Sequence, residues 1–481
     1  MHRLLEFSAL LFVTGCETAT KTSSVDSSAG NTPPVVANGH DWTQFNVDEG
    51  RSGVFNSPTG ITADSLASLR QQQVALDGTV DASPIYLHDV VVSGAHHDVF
   101  FVTTTYGKTI AIDANNGAIL WEFTPPNYSQ WAGSYRITTA TPVADPDRSA
   151  IYAASPDGRI QKLAVADGHA LWSTAITLLP TREKIASALN FSRGHVIAVT
   201  GGYIGDAPPY QGHIAILDAG NGSVARIWNS LCSDRSGLLD PSSCSSSGSA
   251  IWGRAGAVID STTGNILVAT GNAAWDGRTN WGDAVVALDA TAAQLVANYT
   301  PSNTETLNST DADIGSTSPV FLDASHVVQG GKDGKLRVLD LQSLGGATSH
   351  RGGETQSVST PSGSALFTAP AVWRQSDAVW VFAADNGGTA AWTYRNGSLT
   401  KAWSTSSAGT SPVVAGGMLF VYDPAGPLRV FEPTTGKPLG QLSAGSGHWN
   451  SPIVVDRRIA LPTGNANSHA TNGTLNIWRL P

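Results

Sequence analysis

From residue 80 to the C-terminus, short apolar runs alternate with polar turns in a recurring order. Each unit opens on a small residue, then proline or a substitute, then β-branched or small apolar residues. The clear versions are Ser83-Pro84-Ile85, Thr141-Pro142-Val143, Ser318-Pro319-Val320, Ala369-Pro370-Ala371, Ser411-Pro412-Val413 and Ser451-Pro452-Ile453. Two weaker ones, Ala186-Ser187-Ala188 and Ala255-Gly256-Ala257, fill the gap between the second and third, which makes eight. An apolar run follows, such as Val99-Phe100-Phe101-Val102 or Ile266-Leu267-Val268-Ala269. A further run then ends in an Asp/Asn-Gly turn and an aromatic residue: 110–117 with Trp121, 163–168 with Trp172, 216–222 with Trp228, 393–397 with Trp403. Short apolar runs bounded by Gly and Asp/Asn are the pattern of strands joined by tight turns. Four such strands per unit, repeated around a ring, predict an all-β, eight-bladed β-propeller with four-stranded antiparallel blades over 41–481. A single blade cannot bury its own faces, so the repeat tryptophans are expected to pack between blades. The last run, Thr474-Leu475-Asn476-Ile477-Trp478, is expected to lock the ring beside the segment after Asp41-Trp42-Thr43-Gln44-Phe45.

Composition agrees with a turn-rich β protein: 50 Gly, 25 Pro and only 14% charged residues in 481. A net charge of -10 without a Lys/Arg cluster excludes nucleic acid and an anionic membrane face as partners. The pattern breaks at the N-terminus. Residues 1–15 carry early basic residues (His2, Arg3), an apolar core interrupted by Glu6, and small residues before Cys16, as an export signal does. Val13-Thr14-Gly15-Cys16 resembles the bacterial lipobox, whose cysteine is acylated after cleavage; an ordinary secretory peptide cut near Cys16 is the alternative. Residues 16–40, rich in Ser, Thr, Ala and Pro, read as a flexible tether. Acylated Cys16 would hold the protein to a membrane, preferentially the outer one, with the ring in the periplasm. Export implies an oxidising compartment. There Cys232 and Cys244, flanking a Ser-rich loop, are expected to form a disulfide contributing about 3 kcal/mol.

Candidate chemistry concentrates between residues 250 and 340. Trp252, Asn272, Asp311, Asp313 and Lys332 stand there on short polar turns between apolar runs. An indole offers a flat, polarizable face, and carboxamide and carboxylate oxygens suit a hard cation such as calcium. A desolvated carboxylate can accept a hydroxyl proton, and an ammonium can stabilise a developing oxyanion. Each residue also has a plainer reading: a packing tryptophan, a turn asparagine, a capping aspartate, a solvated hairpin lysine.

The run Ala-Ile-Asp-Ala-x-x-Gly-x-x-x-Trp, from Ala111 to Trp121, resembles the repeat of the pyrroloquinoline quinone (PQQ) propeller proteins. The opening Asp41-Trp42-Thr43-Gln44-Phe45, through Asp48 and Arg51, resembles their N-terminal segment, so the likeness runs from about residue 41 to the end. It implies eight blades and two alternative functions. One is a quinoprotein dehydrogenase that uses PQQ and Ca2+ to oxidise an alcohol or sugar hydroxyl and passes electrons to an external acceptor. The other is a cofactor-free lipoprotein scaffold like that of the outer-membrane β-barrel assembly machinery, with envelope proteins as partners. Fold does not choose between them.

Under the dehydrogenase reading Trp252 resembles the indole floor beneath the quinone. Asn272, in Thr270-Gly271-Asn272-Ala273-Ala274-Trp275-Asp276, resembles the calcium-binding asparagine of a Gly-Asn-Pro-x-x-Trp-Asn motif. Asp313 lines up with the general base beside the metal, although Ala312 replaces the family's tryptophan. Lys332 matches the cation that hydrogen-bonds the reactive quinone carbonyl. The chain departs from the pattern at two further places. The expected glutamate ligand is missing, and Asp206 is the nearest carboxylate, in shifted register. The adjacent-cysteine roof is replaced by Tyr135-Arg136-Ile137, leaving Arg136 or Tyr135 to cover the ring. There is no Cys-x-x-Cys-His haem signature. The long segment 205–250 is expected to fold over the axial mouth if the pocket is used, and to project outward if the ring is a docking platform.

Overall fold

The computed structural model describes residues 39–481; the expected export signal, Cys16 and all but the end of the expected tether lie outside them. Eight blades, each with four antiparallel strands, follow one another along the chain, and Val54–Phe55 of the opening arm adds a fifth, parallel strand to the blade that starts at Val413. Blade 1 consists of Ile85–Val92, Ala95–Thr103, Thr109–Asp113 and Ile119–Phe123. Blade 3 consists of Asn190–Ser192, His195–Val199, His213–Asp218 and Val224–Asn229, and blade 4 of Val258–Ile259, Ile266–Ala269, Val285–Leu288 and Leu295–Tyr299. Blade 5 consists of Val320–Phe321, His326–Gln329, Lys335–Asp340 and Gln356–Ser359. Blades 2, 6 and 7 start at Val143–Ala144, Ala371–Arg374 and Val413–Ala415. Blade 8 joins an early strand to the last ones: Arg70–Leu76 pairs antiparallel with Gly473–Arg479. The closing partner of the last strand is therefore 70–76, downstream of the 41–45 motif. That motif is used elsewhere, Trp42 exchanging backbone hydrogen bonds with Tyr86 of blade 1 at 2.8 Å and stacking on Phe55.

The eight sequence units and the eight blades coincide, each small-Pro-β motif standing just ahead of its blade's first strand. Its hydroxyls explain why it recurs. Ser83 Oγ donates to the Ser451 carbonyl (3.1 Å), Ser187 Oγ to Ile251 (3.2 Å), Thr317 Oγ1 to Thr368 (2.7 Å) and Thr410 Oγ1 to Asn450 (2.6 Å). These bonds run from one blade's entry segment to a neighbour's, a belt around the axis. Proline at the start of a strand removes a donor that would otherwise need a partner.

The repeat tryptophans pack between blades. Trp121 Nε1 donates to the Val165 carbonyl (2.8 Å), Trp172 Nε1 to Ala219 (3.2 Å) and Trp403 Nε1 to Pro433 (2.8 Å). Each indole lies on the turn glycine of the next blade, Gly168, Gly222 or Gly436, where a Cβ would come within 2.5 to 2.6 Å of the ring. The same three glycines have φ of +76°, +75° and +70°, so steric and conformational demands coincide there. The opening arm is tied in by Arg51, whose buried guanidinium donates to the carbonyls of Phe45 (2.8 Å), Leu189 (2.7 Å) and Ala255 (3.0 Å). Burial lowers its pKa to about 9. Among the described residues no helix is long and apolar enough to cross a membrane.

Candidate functional site

In a four-stranded antiparallel blade, the loop between the second and third strands and the connection to the next blade emerge at the same end. The candidate residues come from these two loop types, so the topology gathers them on one face. Trp252 is on the connection from blade 3 to blade 4, and Asn272 on the second-to-third-strand loop of blade 4. Asp311 and Asp313 are on the connection from blade 4 to blade 5, and Lys332 on the equivalent loop of blade 5. A cavity of about 760 Å³ opens at this face, with Trp252, Lys332, Asp206, Lys184, Arg254 and His448 on its wall. That volume falls within the range of small-molecule sites.

Lys332 is the centre of one side. Its Nζ lies 2.6 Å from Asp311 Oδ1, 2.7 Å from Asp313 Oδ2 and 5.3 Å from the centre of the Trp252 ring. The Lys332 backbone N–H donates to the Asp313 carbonyl (2.9 Å), which places the two side chains side by side. Burial works against the ammonium, but the charges of Asp313 and Asp311 outweigh it and raise its pKa. Asp313 is fully buried, behind Lys332 rather than on the cavity wall; burial raises its pKa, and Lys332 offsets part of the shift. Asn272 Nδ2 donates to Asp311 Oδ1 (3.3 Å) and the Asn308 carbonyl (3.3 Å), while its Oδ1 is buried without a partner. Gly271 permits the crowding, since a Cβ there would meet the Trp252 ring at 3.3 Å and Asp313 Oδ1 at 3.5 Å.

The opposite side is built around Asp81, a fully buried carboxylate on the way into blade 1. It accepts from the backbone N–H groups of Trp449 (2.9 Å) and Ala466 (3.0 Å) and contacts His448 Nδ1 at 2.7 Å. Burial opposes its charge, but His448, Arg254 and these donors hold its pKa below normal. Arg254 reaches over from blade 4: its Nη2 donates to the Asp81 carbonyl (2.6 Å). The same Nη2 also reaches the Trp449 carbonyl (3.5 Å) on the way into blade 8, and because blades 4 and 8 face each other in an eight-membered ring, this side chain bridges the axis. Lys184 is desolvated beside Arg254, and its pKa falls to about 8. Its ammonium makes no ion pair or hydrogen bond with the described residues, while its backbone pairs with Gly201. Sequence reasoning missed this group. The available signal was position: Asp81 and Arg254 stand just ahead of a blade motif, where other units carry Thr or Ser, as at Thr139, Thr317, Thr368 and Thr410.

Asp283 was also missed. It is fully buried on the same blade 4 loop as Asn272, and apart from a weak contact with the Ile314 N–H neither of its oxygens has a hydrogen-bond partner. Burial, then repulsion from Asp313, raises its pKa to about 8. Asp206 lines the cavity and accepts from Tyr210 Oη (3.2 Å); burial raises its pKa. Arg136 is away from the cavity wall, its Nη2 on the Pro156 carbonyl (3.0 Å) and its guanidinium 5.6 Å from the Trp131 ring centre. Tyr135 packs edge-on to Tyr203. The segment 205–250 divides. Gly205 and Asp206 line the cavity, whereas the ring closed by the Cys232–Cys244 disulfide rests on blade 4, where Ser233 N–H donates to Thr279 (2.9 Å) and Trp281 Nε1 to Ser233 Oγ (3.1 Å).

The fold is an eight-bladed, PQQ-like β-propeller, in keeping with the resemblance read from Ala111 to Trp121. Residues 79–237 match the family model described as outer membrane protein assembly factor BamB. The chain matches no curated protein sequence. Among solved structures it is similar to the quinohemoprotein alcohol dehydrogenase from Comamonas testosteroni, with TM-score 0.64, 16% identity, and 92% of this chain and 80% of that one covered. It is similar to a europium-containing methanol dehydrogenase, with TM-score 0.67, 15% identity and coverage of 92% and 98%. It also resembles BamB from Moraxella catarrhalis, with TM-score 0.53, 16% identity and coverage of 85% and 98%. At these identities the likeness establishes the fold, shared by enzymes and by an assembly factor.

Proposed function

We propose that this protein is an exported, lipid-anchored PQQ-binding propeller that oxidises an alcohol or sugar hydroxyl to a carbonyl, with an external electron acceptor. The observation that carries the reading is the Trp252 indole on the wall of the axial cavity with the Lys332 ammonium 5.3 Å from its ring centre. Lys184 and Arg254 share that wall. A flat aromatic surface among three cations suits a planar, polycarboxylate quinone. PQQ supplies the two-electron oxidant when bound. Trp252 would stack on it, Lys332 would polarise its carbonyl, and Lys184 and Arg254 would neutralise its acid groups. Calcium finds fewer donors. Asn272 Oδ1 is free, Asp313 faces Lys332, and Asp206 is engaged by Tyr210. Among the described residues no three His, Cys, Asp or Glu side chains converge on one point, so the side chains present do not make a complete calcium site.

The test is a titration of the protein lacking residues 1–38 with PQQ, with and without calcium, following absorbance and melting temperature together. One-to-one uptake with a raised melting temperature is expected, reaching about 2.7 kcal/mol of stabilisation at a hundred times Kd. Trp252→Ala is expected to lose both effects. No uptake by the wild type would overturn the reading. The second reading, a scaffold for envelope proteins, is favoured by apolar side chains on the blade 2 and blade 3 side of the cavity face. Ile204 is 70% exposed and Leu178 57%. Absence of quinone uptake together with capture of an envelope protein that Ile204→Asp abolishes would establish it.

A further inference from the structure

Two side chains are candidates for taking the proton from a substrate hydroxyl, and they differ in access and engagement. Asp313, the residue that the family likeness points to, is fully buried, lies behind the cavity wall and holds Lys332 Nζ at 2.7 Å. To act it would have to give up that ammonium and admit the hydroxyl into a space it does not border. His448 is on the wall, with 24% of its side chain exposed. Its Nδ1 faces the Asp81 carboxylate at 2.7 Å, and its ring packs on Trp449 with centroids 4.5 Å apart. Asp81 is held in turn by the N–H groups of Trp449 and Ala466. A carboxylate fixed in this way keeps the imidazole proton on Nδ1 and leaves Nε2 as an acceptor. Nε2 has no hydrogen-bond partner among the described residues.

We propose that His448, oriented by Asp81, is the catalytic base of this cavity, and that Asp313 serves as the counter-ion of Lys332. The proposal rests on the alcohol-oxidation reading above. In the step, the O–H proton of the alcohol passes to Nε2 while the carbinol hydrogen leaves with its electron pair, as hydride, to the quinone oxidant. The carbonyl product forms, and the imidazolium is balanced by Asp81. The charged groups facing His448 are Asp81, which favours the imidazolium, and Arg254 and Lys184 on the adjoining wall, which oppose it. Asp81 is a positioning residue, since it acts through the imidazole.

Two measurements test the pair. The first needs no cofactor: the imidazole nitrogen resonances of His448 in the unliganded protein, assigned by comparison with His448→Gln. One persistent Nδ1–H tautomer with unprotonated Nε2 is expected in mildly basic buffer, and Asp81→Asn is expected to abolish that preference. A ring protonated on Nε2, or averaging between tautomers, overturns the dyad. The second uses quinone-loaded protein with ethanol, 1-butanol and glucose as probes and an artificial acceptor. His448→Gln is expected to lower kcat by about 10²-fold or more and remove the acidic limb of the pH profile. KM and quinone affinity should stay within about threefold, and Asp313→Asn should cost less kcat than His448→Gln. A loaded His448→Gln protein with wild-type kcat and pH profile overturns the proposal. If the wild type takes up no quinone, the oxidation reading fails and the catalytic step with it, and the tautomer alone judges the dyad.

Discussion

Asp283 should make the unliganded ring less stable than it need be, with a pH signature that can be worked out. It is fully buried, neither oxygen has a good hydrogen-bond partner, and its pKa is raised to about 8 against an ordinary 3.8. Below about pH 4 the carboxyl is protonated in both the folded and the unfolded chain, and folding costs nothing extra. Between pH 4 and 8 the unfolded chain ionises while the folded one keeps its proton, so stability is lost steadily. Above pH 8 both are ionised and the loss levels off. At about 1.4 kcal/mol per unit of displacement the ceiling is about 6 kcal/mol. Asp283 and Asp313 repel each other, so removing one charge recovers a share, about 2–3 kcal/mol. Asn is the appropriate replacement because it matches the neutral carboxyl in shape and tolerates the φ of +48° found here. Thermal melts of wild type and Asp283→Asn from pH 4 to 9 should show no difference at pH 4, a gain of a few degrees for the variant by pH 8, and a plateau beyond. A pH-independent difference, or a variant less stable at pH 8, would refute the reasoning.

Removing the side chain that bridges the axis should be costly. Arg254→Ala leaves Asp81 buried without its nearest permanently charged partner, 4.0 Å from the carboxylate, and is expected to destabilise by about 3–5 kcal/mol, read as a lower denaturant midpoint; a midpoint unchanged from wild type would show that blades 4 and 8 do not depend on it. The Cys232–Cys244 disulfide closes a loop with a sequence separation of 12, so its reduction should cost about 3 kcal/mol by the chain-entropy estimate. Because the loop rests on blade 4, hydrogen exchange should increase first at residues 276–281 of the Cys232→Ser/Cys244→Ser protein, and uniform exchange across the ring would contradict that placement.

The ring was legible in the sequence because one geometric problem is solved eight times with the same residues. A strand entering the axis needs a hydroxyl for the belt and gains from proline. A turn glycine at positive φ also leaves room for the neighbouring indole, so Gly and Trp recur together. The motif fades where another demand takes over. Gly256 occupies the proline position of blade 4, where its N–H donates to the Gly253 carbonyl at 2.8 Å and φ is +68°, and proline satisfies neither condition. Nearby, the carbonyls of Leu189 and Ala255 are taken by Arg51. The two weakest units thus flank the anchor of the N-terminal arm.

The site was legible only on the side where its residues are close in sequence. Trp252, Asn272, Asp313 and Lys332 fall within 81 positions and come from adjacent loops, so motif order carries over into space. The other side is made of pairs separated by 173 positions, Arg254 with Asp81, and by 367, His448 with Asp81. No local pattern announces a contact that exists only because the ring closes. The charges that result are unevenly placed. At the blade 5 side Lys332 already has two carboxylates, and at the blade 2 and blade 3 side Lys184 has none. An anionic ligand entering this cavity would therefore be drawn with its acid groups toward Lys184 and Arg254, leaving its opposite edge at Lys332 and Trp252. Orientation in the cavity would thus follow from the half of the site that the sequence pattern did not disclose.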